Sequence, residues 1–257
     1  MTTESPDKDK AIFFSTANEK ECQDAFVKLL NESPIPDSEL FHNLGLYLSS
    51  KTLSRLIFFQ HIYQQILNVH GVVMEFGVRW GQTLSLLSAL RGIYEPFNRH
   101  RKIIGFDTFT GFPGLTEQDG GVANSKCTAG SYSVTEGYEK HLADILHIQE
   151  SLNPMSHVKR FELVKGDATQ TIPAYFKAHP ETVVALAILD FDIYQPTKIA
   201  LTQIKDCMPK GSILVFDELC DELFPGETTA IKEVFGLRNL RVQRLPSTAR
   251  VSYVVLE

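Results

Sequence analysis

The chain has 257 residues and a mass of 28.9 kDa, enough for one large domain or two small ones. Hydrophobic residues make up 43% and charged residues 22%, which excludes wholesale disorder, a collagen-like repeat and an extended coiled coil. The formal charge of −6 argues against nucleic acid as a partner of the whole surface. The longest apolar run, 183–189, is far short of the about 20 residues that a membrane-spanning helix needs, so no membrane partner is expected.

In chain order, the first ten residues, MTTESPDKDK, are polar and charged, unlike a signal peptide, and residues 1–18 read as a disordered tail. Residues 19–69 read as a helical extension. Within 51–69, Leu53, Leu56, Ile57, Ile62, Ile66 and Leu67 recur at helical spacing and predict an apolar stripe. After His70 short β-rich runs alternate with helical ones. Strands are expected at 72–76, 102–106, 161–165, 183–189, 213–216, 241–245 and 251–256. Helices are expected at 83–93, 136–149, 169–178, 197–208 and 228–235. This alternation predicts an α/β fold with a mostly parallel sheet covered on both faces. Run 183–189 has no polar alternation, as suits a strand buried on both sides. Only 246–250 separates the last two strands, too short for a crossover helix, so they should pair antiparallel. The stretch 111–133 holds Gly111, Gly114, Gly120, Gly121 and Gly130 without periodicity, and reads as an active-site lid. Cys22, Cys127, Cys207 and Cys220 form no CxxC pair. That argues against a disulfide framework and a zinc ribbon and suits a cytoplasmic location.

Four constellations fall at the ends of expected strands. The first is Glu75-Phe76-Gly77-Val78-Arg79-Trp80-Gly81, where glycines let backbone approach a ligand and the following helix offers free N–H groups. Its spacing is not the dinucleotide fingerprint. An acidic residue there suits an amine-bearing cation such as S-adenosylmethionine (SAM); the alternative is a plain tight turn with an exposed Glu. The second is Asp107, able to accept from both ribose hydroxyls of a nucleoside, or simply to cap a helix. The third is Gly166-Asp167, where the carboxylate would meet the adenine amino group or cap the next helix. The fourth is Asp190-Phe191-Asp192 with Asp217-Glu218, at the ends of two neighbouring strands. So many carboxylates repel unless a cation offsets them, and hard oxygen ligands favour Mg²⁺, Ca²⁺ or Mn²⁺. Asp190 and Asp192, two apart on an extended segment, should point together. The alternative is that some cap helices or pair with Lys198 and Lys210.

Taken together, MEFGVRWGQT, IIGFDTFTGFPG, LDFDIYQPT and KGSILVFDEL, spread from about Leu40 to the C-terminus, resemble the macrocin O-methyltransferase family. Its members are class I SAM-dependent enzymes that methylate sugar hydroxyls, and the likeness is greatest to those acting on nucleotide-linked deoxysugars. The resemblance implies a Rossmann-like sheet with an antiparallel C-terminal hairpin over 70–257. It implies SAM held by Glu75, Gly77, Gly81, Thr83, Asp107, Thr108, Gly166, Asp167 and Asp190. It also implies Mg²⁺ or another divalent cation on Asp192, Asp217 and Glu218, although the family's acidic pair is commonly Asp-Asp. A sugar substrate, nucleotide-linked or a glycoside, and a homo-oligomer joined through N-terminal helices complete the expectation. The mechanism expected is in-line methyl transfer, with Asp192 taking the hydroxyl proton. The rival readings are a catechol-type O-methyltransferase, a nicotinamide-dependent oxidoreductase and a non-catalytic SAM-fold binding protein.

Overall fold

The computed structural model describes residues 16–120 and 127–257. The tail expected at 1–18 lies almost wholly outside these residues, as does 121–126 of the expected lid.

Residues 16–65 do not form one continuous helix. Pro34 and Pro36, which cannot supply helical N–H donors, separate α1 (Ala17–Asn31) from α2 (Asp37–Leu40). A 3₁₀ segment, Phe41–Tyr47, then leads to α3 (Ser50–Gln65). Thr16 caps α1 in a reciprocal arrangement with Glu19, and Ser49 caps α3. The stripe expected on α3 is displaced around the helix. Phe58, Phe59, Ile62, Tyr63 and Ile66 are buried, whereas Leu53 and Ile57 are 45% and 46% exposed. The aromatic pair covers more sheet than the aliphatic residues would, and so sets the buried face.

Beyond α3, strands and helices alternate: β1 (Val72–Phe76), α4 (Gln82–Tyr94), β2 (Ile103–Asp107), α5 (Tyr138–Ser151), β3 (Phe161–Lys165), α6 (Ala168–Ala178), β4 (Val184–Leu189), α7 (Tyr194–Ile204), β5 (Ile213–Phe216), α8 (Pro225–Val234), β6 (Gln243–Arg244) and β7 (Ser252–Val255). The seven strands form one sheet in the order β3-β2-β1-β4-β5-β7-β6. The first five are parallel, and β7 runs antiparallel to both β5 and β6. The sheet is therefore the mostly parallel one expected, with its antiparallel hairpin. Sequence periodicity misses two helix starts because proline stands there. Pro196 and Pro225 sit in the first turns of α7 and α8, where the absent N–H has no intrahelical partner to lose. The strand expected at 241–245 pairs only over Gln243–Arg244.

Each face of the sheet has its own apolar layer. One joins the sheet to α3, α4 and α5 through Phe58, Ile62, Leu84, Leu87 and Leu146. The other joins it to α6, α7 and α8 through Ile172, Ala200, Leu201 and Ile231. Met74 and Phe76 of β1 belong to the second layer, so alternation turns Glu75 to the first, the side of α3 and α4. The strand order reverses between β1 and β4. A crevice opens beyond the carboxyl ends of strands at such a point. Among the described residues no helix is long and apolar enough to cross a membrane.

Candidate active site at the carboxyl edge of the sheet

A cavity of about 400 Å³ lies in this crevice. Of the residues singled out from sequence, Glu75, Gly77, Gly81, Thr83, Asp107, Thr108, Asp167, Asp190, Asp192, Asp217 and Glu218 line it; Gly166 does not. Gly166 has φ +142 and makes the turn that delivers Asp167. At Gly77, φ is +100, and a Cβ would lie 1.9 Å from the carbonyl oxygen of Asp190. Only glycine allows the β1–α4 and β4–α7 loops to approach this closely.

Several carboxylates already have partners. Asp107 Oδ2 accepts from the N–H groups of Val78 and Arg79, both at 2.7 Å, and Oδ1 accepts from Phe109 N–H. It thus fixes the glycine-rich loop while still lining the cavity. Asp167 caps α6 through Thr169 N–H at 2.9 Å, so the capping role and the cavity position coexist. The Thr108 hydroxyl is spent on the turn, donating to Gly111 O. Glu75 differs: it is 2% exposed, and Oε2 has no hydrogen-bond partner. Burial first, then the charge of Asp190, pushes its carboxyl well above the ordinary range.

The acidic cluster departs from expectation in shape. The strand ends at Leu189, and Asp192 has a left-handed backbone, φ +62, so Asp190 and Asp192 are not two positions of one extended segment. Asp190 and Asp217 both turn to Arg55, at 3.2 and 2.9 Å. Glu218 pairs with Arg250, which also reaches Asp221 at 3.5 Å. Burial, then Asp217, raises Asp190 to about 7; burial, then Asp190 and Asp217, lifts Asp192 well above its usual range. A further acid, Glu227 on α8, is fully buried. Its Oε1 accepts from Glu218 N–H at 3.0 Å while Oε2 has no partner. Its carboxyl is raised by burial and by Asp217, Asp190 and Asp192. These acids have the charge to suit a dication, and in this structure arginines offset Asp190, Asp217 and Glu218. Among the described residues no three Asp, Glu, His or Cys side chains gather so as to hold a metal ion. Of the expected trio of Asp192, Asp217 and Glu218, Asp217 is taken by Arg55 and Glu218 by Arg250.

Sequence reasoning missed Arg55, Arg250 and Glu227. Arg55 is in step with Phe58, Phe59 and Ile62 on the buried face of α3, and Glu227 with Ala230 and Ile231 on that of α8. A charged residue in step with an apolar stripe was the available signal. Arg250, in the turn before β7, offered none.

No protein-family model matches the chain, and no curated protein does. Solved structures do match. A crystal structure described as CalS11, calicheamicin methyltransferase, is 39% identical, with 99% of each chain covered and a TM-score of 0.91. A second, the apo form, described as a TDP-rhamnose 3'-O-methyltransferase of calicheamicin biosynthesis, is 38% identical. It covers 96% of this chain and 97% of its own, with a TM-score of 0.84. The O-methyltransferase NovP, at 17% identity, 79% coverage of both chains and a TM-score of 0.60, shares the fold.

Proposed function

From the premise that the chain belongs to the class I SAM-dependent sugar O-methyltransferases, we propose that it methylates one hydroxyl of a deoxysugar, nucleotide-linked or within a glycosylated natural product. The observation that carries this reading is a single cavity lined both by Glu75, Gly77 and Asp107 and by the raised acids Asp190 and Asp192. A methyl donor and a proton acceptor can thus meet in one place.

When bound, SAM supplies a methyl group on a positively charged sulfur, which departs as a neutral thioether when oxygen takes the carbon. The chain's own task is to align the hydroxyl and accept its proton. Glu75, with a buried and unpartnered oxygen, suits the donor's ammonium. Gly77, Gly81, Thr83, Asp107, Thr108, Asp167 and Asp190 line the same cavity, and Gly166 makes the turn that precedes Asp167. Asp192 takes the proton. Its burial makes it a stronger base than an ordinary aspartate once ionised. Holding both reactants in near-attack geometry can lower the barrier by roughly 7–11 kcal/mol. Residues 111–120 and 127–133 would cover the ligands: Phe112 and Gly130 tie the two stretches together, and buried Asp119 accepts from the first N–H of α7.

Divalent-metal assistance through Asp192, Asp217 and Glu218 belongs to the proposal on charge alone, and no step above runs through a metal. A homo-oligomer is supported by α1 and the 3₁₀ segment, which bury no residue and expose Phe26, Leu29, Phe41 and Leu46. Four free cysteines suit a cytoplasmic setting. The test is incubation with SAM and TDP-rhamnose, with mass spectrometry for S-adenosylhomocysteine and a product heavier by one methylene. Methylation of catechols but no sugar would sink the sugar assignment and leave a catechol-type enzyme.

A further inference from the structure

The residues read from sequence as a cofactor site include the acids Glu75, Asp107, Asp167 and Asp190 and no base. That set suits an ammonium and ribose hydroxyls, but an amino-acid end also carries a carboxylate. Three arginines line the cavity. Arg79 lies over the Tyr132 ring, 5.0 Å from its centre, and Arg250 is committed to Glu218 and Asp221. Arg55 is hydrogen-bonded to the start of α4, where Nη2 donates to the Thr83 hydroxyl at 3.1 Å. The first N–H groups of α4 have no intrahelical partner, and the residue before it, Gly81, gives no side-chain cap. Beside them stands Glu75, buried and with one oxygen unpartnered. One corner of the cavity thus pairs an anion-binding half with a cation-binding half.

We propose that Arg55, with Thr83 and the first turn of α4, binds the α-carboxylate of the methyl donor's amino-acid end while Glu75 takes its ammonium. This rests on reading the cavity as the SAM site. Arg55 makes three hydrogen bonds, to Asp217, Asp190 and Thr83, and a guanidinium offers more N–H groups than these use. The incoming ammonium and sulfonium compensate the acids with which Arg55 is shared. Because Arg55 belongs to α3, outside the run of alternating strands and helices, donor binding would also fasten the N-terminal helices to the sheet.

Decarboxylated SAM, which lacks only the carboxylate, tests the assignment. By calorimetry the native protein should bind SAM about tenfold or more tighter than the decarboxylated form, as a charge-assisted hydrogen bond implies. Arg55→Met should bring the two affinities within about threefold, mainly by weakening SAM. The decarboxylated form should hold or gain affinity, since a repelling cation is gone. Arg55→Lys should keep part of the preference. The ratio within one preparation is independent of the fraction folded, so partial misfolding does not mimic the result. An undiminished preference in Arg55→Met, or equal weakening of both ligands, overturns the assignment. No SAM binding by the native protein overturns the cofactor reading itself.

Discussion

Asp192 combines a left-handed backbone with a carboxyl raised by burial and by neighbouring acids. That conformation costs a non-glycine residue about 1–3 kcal/mol, and asparagine tolerates it well. Asp192→Asn therefore tests chemistry with little change in backbone demand. Turnover should fall roughly 100-fold or more while SAM affinity by calorimetry is kept; wild-type turnover would move the proton acceptor elsewhere. Asp107→Ala strips the acceptor from three backbone N–H groups. SAM binding should weaken by about tenfold, and unfolding should become easier by about 1–3 kcal/mol. Equal SAM affinity would take the ribose contact away from Asp107. The acids Glu75, Asp107, Asp190 and Asp217 were legible because strand–helix alternation fixes which strand ends share an edge. Their counter-charges were not. Arg55 and Arg250 arrive from a helix and a turn through packing that no local spacing encodes.

At the scale of elements, the opposite end of the sheet is fastened by buried charge. Arg101, 1% exposed, donates from Nε to Glu95 at 2.8 Å and from its Nη atoms to the carbonyls of Gly71, Ile66 and Val69. It joins the end of α3 to the entries of β1 and β2. Tyr63 and Asn98 also donate to Glu95, at 2.7 and 2.8 Å. Burial alone would raise Glu95, but Arg101, Tyr63 and Asn98 more than offset it and hold its carboxyl below 4.5. A lowered carboxyl contributes stability that is present above its unfolded value and lost as pH falls through the folded one. Melting temperature should therefore drop below about pH 4.5, and Glu95→Gln should flatten that drop. At neutral pH the same variant should cost roughly 3 kcal/mol, as breaking a buried pair does. An unaltered acid limb in the variant would assign the effect to other carboxylates. The extent of α3 could be read from its stripe, but not which way it faced, because packing against the sheet chose the aromatic pair.

For the molecule as a whole, two proposals rest on properties that no single element holds. EDTA should reduce methyl transfer and Mg²⁺ should restore it, measured as S-adenosylhomocysteine release; unchanged turnover in chelator would remove the metal and leave the Asp192 chemistry standing. Phe26→Asp with Phe41→Asp, at positions 42% and 71% exposed, should convert an oligomer to monomer in light scattering without altering SAM affinity. An unchanged mass would move the interface away from the N-terminal helices. The cavity draws Arg55 from α3 and Arg250 from the turn before the last strand, and β7 is inserted between β5 and β6. A chain still emerging from the ribosome thus lacks a finished pocket until its final hairpin is released. Methyl-donor capture would then follow release of the last hairpin, and a deletion that reaches Arg55 or Arg250 would remove a wall of the same chamber.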